Sequence, residues 1–249
     1  MKPVAEIMYM DFLNVCMDQL VNHAPKMRFI TGGTLKVPIV VRTQCSLGRM
    51  LGAQHSQFFP SWFMHVPGMK VVVPSTPYDA KGLLKTAIRD ENPVLFIEFG
   101  NLYFRKGHVP NEEYLIPFGE GDVKRRGEDV TVVAISSMVH EALAAAQRLE
   151  KEGISVEVVD PRTLTPLDKK TIIESVKKTG RALIAEASCK TCGVGAEISA
   201  TLIEEAFDYL DAPILRIAAS DTPAPYSPGL QDYYIPNQEK IIDTIKRVI

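Results

Sequence analysis

From residue 128 onward, short β-branched apolar runs alternate with longer stretches of helical spacing. Asp129 to Ile135 (DVTVVAI) reads as a buried strand, and Ser137 opens a helix running to about Lys151 that stops at Gly153. Ser155 to Val159 is the next strand, and Pro166 to Lys178 the next helix, closed by Gly180. A strand from Ala182 to Glu186, a helix from about Val194 to Leu210, a strand from Ile214 to Ile217 and a helix from about Gln238 to Val248 complete four strand-helix units. Such alternation predicts a mainly parallel sheet covered on both faces, with right-handed crossovers, as one complete α/β domain over residues 128–249.

The first hundred residues carry the same alternation in an incomplete form. Asp11 to Asn22 places apolar residues at 12, 13, 16, 17, 20 and 21, which is a helical stripe. Val37 to Val41 reads as a buried strand, a helix contains Gln54 to Met64, and Val71 to Val73 is a short strand between Pro67-Gly68 and Pro74. A helix from about Pro77 to Arg89 and a strand from Val94 to Glu98 follow. The strand-like Pro3 to Met8 needs a neighbour. Residues 107–127, rich in Gly, Pro and charge, read as a connection between a first unit, 1–106, and the second, 128–249.

Composition narrows the class without naming a function. Among 249 residues, 28 Lys and Arg face 30 Asp and Glu; a net charge of −2 offers no footprint for nucleic acid or an anionic membrane. No apolar run approaches the ~18 to 20 residues of a membrane span, and the N-terminus has no signal-peptide pattern, which points to a cytoplasmic protein. Four scattered cysteines agree with a reducing compartment.

Open α/β sheets bind ligands beyond the C-terminal ends of their strands. After Val37 to Val41 comes Arg42-Thr43-Gln44-Cys45-Ser46-Leu47-Gly48-Arg49, then Gly52-Ala53-Gln54-His55-Ser56-Gln57. His55 is a candidate for proton transfer or for stabilising developing negative charge, because imidazole titrates near neutral pH. The alternative is a helix-start histidine bonded to backbone. After the helix ending at Arg89, the last helical carbonyls together with Asp90 and Asn92 suit a hard cation, the alternative being a plain C-cap ended by Pro93. Cys189-Lys190-Thr191-Cys192 sits where a thioredoxin-like redox pair would sit; a zinc site would need further ligands, and His140 is the only histidine nearby in sequence. Two small turn residues are the plainer reading. Gly193-Val194-Gly195-Ala196-Glu197 lacks the rest of a dinucleotide fingerprint and reads as close helix–sheet packing. Tyr9, Phe12, Met8 and Met10 read as core residues by spacing alone.

Six phrases occur in order over nearly the whole chain: Pro3 to Phe12, Gly52 to Gln57, Pro67 to Pro74, Asp79 to Leu84, Gly193 to Glu197, and Leu210 to Pro213. Together they resemble the beta subunits of thiamine-diphosphate-dependent 2-oxo acid dehydrogenases of the acetoin and pyruvate dehydrogenase type, within the transketolase-like group. The resemblance implies a pyrimidine-binding-like α/β domain followed by a transketolase C-terminal-like domain. It also implies a catalytic role for His55 in passing the intermediate to a lipoyl group, and packing of the cofactor's aminopyrimidine by Met8 and Phe12. A structural potassium ion is implied at Ile39, Ala87, Ile88, Asp90 and Asn92. Thiamine diphosphate with magnesium is shared with an alpha subunit in a heterotetramer, and the second domain serves beta–beta self-association and docking of a dihydrolipoyl acyltransferase core.

Three departures set further expectations. The family usually has a Pro- and Gly-rich turn where this chain has Gln44, Cys45 and Ser46, so the loop presenting His55 is expected to differ. The family's thiamine-activating glutamate lies upstream of the phrase at Pro3, so the first domain is expected to lack one or two units, roughly 70 residues at ~35 per unit. The magnesium-diphosphate pattern, Gly-Asp-Gly followed by Asn, is absent and is assigned to the alpha subunit. The isolated chain is therefore expected to be inactive. A catalytically dead fragment or paralogue used in assembly or regulation is the competing expectation.

Overall fold

In the computed structural model, which describes residues 1–249, the apolar runs of the first hundred residues become β1 (Val4–Ile7), β2 (Val40–Cys45), β3 (Lys70–Val72) and β4 (Val94–Phe99). They lie side by side in the order β1-β2-β4-β3, all parallel. β4 is buried along nearly its whole length, as a parallel strand covered on both faces should be. β1 pairs only with β2 and is largely exposed.

Two helices expected in this half take a different form. The stripe at 11–22 is a 3-10 turn, Met10–Cys16, then a π-helical stretch, Asp18–His23, leading into α1 (Ala24–Ile30). Leu13 and Leu20 still point into the core, but Pro25 has no N–H to give to the preceding turn, which breaks a regular α-helical ladder there. Of Gln54 to Met64, only α2 (Pro60–Met64) is helical, starting at the proline. By contrast α3 (Pro77–Arg89) matches the reading, with the Thr76 side chain accepting from the Asp79 N–H as its cap.

The second half follows the alternation closely. In chain order it holds β5 (Asp122–Arg125), β6 (Val130–Ala134), α4 (Met138–Glu150), β7 (Val156–Asp160), β8 (Thr163–Thr165), α5 (Lys169–Thr179), β9 (Ala182–Cys189), α6 (Val194–Ala206), β10 (Leu215–Ala219), α7 (Pro228–Tyr234) and α8 (Gln238–Ile245). Its sheet runs β10-β9-β6-β7-β5, parallel except for β5, which lies antiparallel to β7. β8 leaves this half and pairs antiparallel with β3, so the second half adds a fifth strand to the first sheet. One apolar cluster joins Phe63, Val71 and Leu95 of the first half to Val132, Leu183 and Ile241 of the second.

A buried ionic cluster reinforces this junction. Lys124 Nζ lies 2.6 Å from Asp79, 2.8 Å from Asp122 and 3.6 Å from Asp160, and Arg162 lies 2.8 Å from Asp79 and 2.9 Å from Asp122. The Ser75 hydroxyl donates to Asp160, tying the β3–α3 loop to the end of β7. Burial raises both buried carboxyls. At Asp79 the charges and hydrogen bonds of Lys124, with Thr76 and Arg162, outweigh it and hold the group below its usual range. At Asp160 burial wins and the carboxyl is pushed up to about 6, because three carboxyl groups face only two cations.

The signs of the two linkages are therefore opposite. Asp160 contributes stability that is fully present below its ordinary value of 3.8 and is lost as pH rises through about 6. Asp79 contributes stability that is present above 3.8 and lost as pH falls below it. In Asp160→Asn the amide oxygen can still accept from the Arg162 N–H. The thermal midpoint of this variant is expected to lack the wild-type decline between pH about 4 and about 6. Midpoints measured across that range check this; an unchanged profile would show that Asp160 does not hold its proton in the fold.

Candidate active site

His55 lies in the loop between β2 and α2, at the C-terminal end of the first sheet. Three residues there take left-handed backbone: Gly48 (φ +86°), Met50 (φ +56°) and Gly52 (φ +74°). Glycine meets the left-handed backbone at 48 and 52 without steric cost; a Cβ on Gly48 would also press on Asn101 Nδ2 at 2.5 Å, and one on Gly52 would lie 3.0 Å from the Tyr226 ring. Asn101 Nδ2 donates to the Leu47 carbonyl at 3.1 Å, and the Met50 N–H donates to Gln231 Oε1 on α7 at 3.2 Å. At the far end, the backbone N–H and side-chain amide of Gln57 both donate to Asp11 Oδ1. Both halves of the chain thus hold the loop.

Gln44 and Cys45, where a turn is expected, are instead the last residues of β2, paired with Glu98 and Phe99 of β4; with Ser46 they pack beneath this loop. Cys45 is fully buried; its thiol is pushed up by burial, donates to the Ser56 carbonyl at 3.8 Å and accepts from the Leu47 N–H at 3.4 Å. It braces the loop and is unsuited to act as a nucleophile. Gln231→Leu, which removes the second-half anchor from a buried position, is expected to speed amide exchange through residues 47–57 while β6 and β9 keep their protection. Hydrogen exchange resolved by segment checks this.

The His55 ring meets Tyr9 edge-on at 4.8 Å and 84°, and Phe12 at 5.3 Å and 85°, while Tyr9 and Phe12 are 5.9 Å apart. Packing alone orients the imidazole: its nitrogens make no hydrogen bond within the chain, in contrast to the backbone-bonded alternative. Of the residues read as core, Met10 is core, but Met8 is 64% exposed and Phe12 41% exposed. Phe12 forms an apolar shelf beside the imidazole, and Met8 leaves an exposed apolar side chain in the same segment. Next to it, Asp11 Oδ2 and Ser56 Oγ are buried with no partner. The arrangement offers a flat apolar surface for an aromatic ring, a free imidazole for proton transfer and unsatisfied buried oxygens for donors.

Arg42 and Glu6 lie apart from this shelf. Arg42 forks onto Glu98 with hydrogen bonds of 2.9 to 3.1 Å, Tyr103 donates to the same carboxylate at 2.6 Å, and Glu6 reaches only to 3.8 Å of Arg42. The residues read as a cation site meet at the end of α3. The Asp90 carboxylate is held by Lys70 and Asn92, and the Asn92 side-chain oxygen accepts from Arg28 at 3.0 Å. Their side-chain oxygens are therefore taken. The Ile39 carbonyl accepts from Val94 and the Ala87 carbonyl from Asp90, whereas the carbonyls of Ile88, Asp90 and Asn92 accept no hydrogen bond. No group of three or more His, Cys, Asp or Glu side chains is arranged for a metal ion.

In the second half, the N-terminus of α6 is occupied by the chain's own carboxylate. Glu186 accepts from the Val194 and Gly195 N–H groups at 2.9 Å each, and a Cβ at Gly193 or Gly195 would fall 2.6 or 2.7 Å from it. The glycines serve close packing rather than a phosphate. Cys189 is half-buried and Cys192 exposed, both as free thiols, and His140 bonds instead to the Ser75 carbonyl at 2.8 Å.

The chain matches the transketolase pyrimidine binding domain over residues 1–104 and the transketolase C-terminal domain over residues 119–241. It is 47% identical over 249 residues to the beta subunit of acetoin:2,6-dichlorophenolindophenol oxidoreductase of Cupriavidus necator, spanning 100% of this chain and 74% of that subunit. It is 43% identical to the pyruvate dehydrogenase E1 component subunit beta of Rhizobium meliloti over 249 residues, 100% of this chain and 54% of that protein. The 2-oxoisovalerate dehydrogenase subunit beta of Bacillus subtilis is 45% identical over 243 residues, 97% of this chain and 74% of that subunit. By fold, a split gene transketolase described as an inactive beta4 tetramer superposes with a TM-score of 0.82 at 24% identity, over 99% of this chain and 75% of that chain. These relatives do not favour the reading of an inactive assembly paralogue.

Proposed function

The chain belongs to the transketolase-like family of beta subunits of thiamine-diphosphate-dependent dehydrogenases, and from that we propose that it is the beta half of an enzyme acting on acetoin or a 2-oxo acid such as pyruvate. The acyl group passes to a lipoyl carrier. The observation that carries this reading is the unbonded His55 imidazole set edge-on between Tyr9 and Phe12, in a segment that also exposes Met8.

The residues fit one half of the cofactor. Met8 and Phe12 supply an apolar face for the aminopyrimidine, and the unpartnered Asp11 Oδ2 and Ser56 Oγ lie in the residues flanking it. When bound, thiamine diphosphate supplies a nucleophilic carbon and an electron sink. The diphosphate and its magnesium need ligands that this chain does not cluster, and an alpha subunit provides them. His55 holds a proton at a ring nitrogen and gives it to the lipoyl sulfur that leaves as the S–S bond opens. The loop anchors from Asn101, Gln231 and Asp11 hold the imidazole where that sulfur arrives.

The free carbonyls of Ile88, Asp90 and Asn92, with the second lone pairs of Ile39 and Ala87, suit a monovalent cation such as potassium, which carbonyl dipoles can hold without a net negative ligand set. Phe29, Val15 and Ile30 are exposed apolar side chains that an alpha subunit or a second beta chain would cover. Residues 128–249 would then serve beta–beta association and docking of the acyltransferase core, with 1–106 holding the cofactor face. No helix is long and apolar enough to cross a membrane, and the proposed location is the cytoplasm.

Thiamine diphosphate with magnesium, titrated into this chain, an alpha subunit and their mixture, tests the proposal. Co-elution of the two chains, with cofactor binding only in the mixture, is expected. Separate elution with no binding by the mixture would overturn it.

A further inference from the structure

A cleft of about 660 Å³ separates the His55 loop from the second half. Ser56, Phe59 and Trp62 line it on one side, and Cys189, Cys192 and Tyr234 on the other. Cys189 ends β9 and Cys192 lies in the β9–α6 turn that follows, which is pinned from several directions. Thr191 donates to Asp221 through its N–H at 3.2 Å and its hydroxyl at 2.6 Å, Arg216 donates to the Lys190 carbonyl at 3.0 Å, and the Gly193 N–H closes on the same carbonyl at 3.5 Å. Cys192 is exposed at φ +54°, a conformation that favours glycine, while the half-buried Cys189 points its thiol to the Ser220 carbonyl at 3.6 Å and lies 4.0 Å from the Tyr234 oxygen.

We infer that Cys189 and Cys192 form a dithiol site that takes low-molecular-weight disulfides from this cleft by thiol–disulfide exchange. The exposed Cys192 thiolate attacks one sulfur of the incoming disulfide, forming a mixed disulfide and releasing the first small thiolate, which takes up a proton. Cys189, three residues away across a single turn, then attacks the Cys192 sulfur as thiolate, forming the intramolecular bond and releasing the second small thiol. Two protein thiols are oxidised and one external disulfide is reduced to two thiols. The remaining cysteines do not compete: Cys45 is fully buried and Cys16 half-buried, and burial pushes both thiols up. Trp62, the single tryptophan, borders the same cleft and reports on it by fluorescence.

Oxidised glutathione is the probe. After incubation of the full native chain, denaturation and alkylation, two of the four thiols are expected to be lost. One peptide should carry a Cys189–Cys192 bridge, and Trp62 emission should change in step. Cys189→Ser is expected to stop at a glutathione mixed disulfide on Cys192. Cys192→Gly, which suits the left-handed backbone, should keep the wild-type melting profile and lose no thiols. Retention of all four thiols by the wild type, or thiol loss in Cys192→Gly at the wild-type rate, would overturn the site.

Discussion

His55→Ala in the assembled enzyme is expected to lower acyl transfer to a lipoyl acceptor by about 10²- to 10⁴-fold, the usual contribution of a placed general acid. Reduction of an artificial dye should fall much less, because the dye accepts electrons without a sulfur leaving group that needs a proton. The fold should survive, since the imidazole is half-buried and makes no hydrogen bond within the chain. Its loss removes two edge contacts, each worth about 0.5 to 1.5 kcal/mol. Parallel assays with a lipoyl domain and with dye check this. Equal losses in both would move His55 to an earlier chemical step, and no loss in either would remove it from the mechanism.

Asp79→Ala is expected to have the largest effect on stability. It leaves Lys124 and Arg162, both mostly buried, sharing Asp160 and the half-exposed Asp122. Removing one member of a buried ionic set costs about 3 to 5 kcal/mol, chiefly through the charges left uncompensated. At ~2 to 4 °C per kcal/mol for a chain of this size, the thermal midpoint should drop by roughly 10 °C. Adding Lys124→Met should recover part of the loss by removing one of those charges. Calorimetry of both variants decides the matter, and a drop below about 2 °C would mean the cluster does not tie the two halves together.

The central parallel strands β4, β6 and β9 were legible in the sequence because they are buried on both faces and read as largely apolar runs; β6 and β9 fall where Val130 to Ala134 and Ala182 to Glu186 announce them. β5, β8 and α7 were not legible. The first two are short antiparallel edge strands built from mixed residues, and α7 starts at Pro228-Gly229 with no apolar stripe long enough to register. The geometry of 10–23 was hidden because the stripe at Leu13 and Leu20 looks alike in α, 3-10 and π windings over so short a span.

In the site, His55 was legible as chemistry from its residue type and strand-end position. Its setting between Tyr9 and Phe12 was not, because those residues lie more than forty positions away and spacing alone assigns them to the core. The Gln231 anchor and the Asp79–Lys124–Arg162 cluster join residues 45 to 181 positions apart, beyond the reach of any local pattern. The left-handed turns at Gly48 and Gly52 were the one local signal that the loop is specifically shaped.

The decisive measurement is substrate-dependent dye reduction by this chain, supplied with the upstream segment that carries the thiamine-activating glutamate in the family and mixed with an alpha subunit, thiamine diphosphate and magnesium. Turnover with acetoin or a 2-oxo acid is expected, and only with both chains and the cofactor together. If a relative's beta subunit sustains turnover with the same alpha chain, and this chain forms the complex but gives none with acetoin, pyruvate or a branched-chain 2-oxo acid, this chain is not the beta half of such an enzyme.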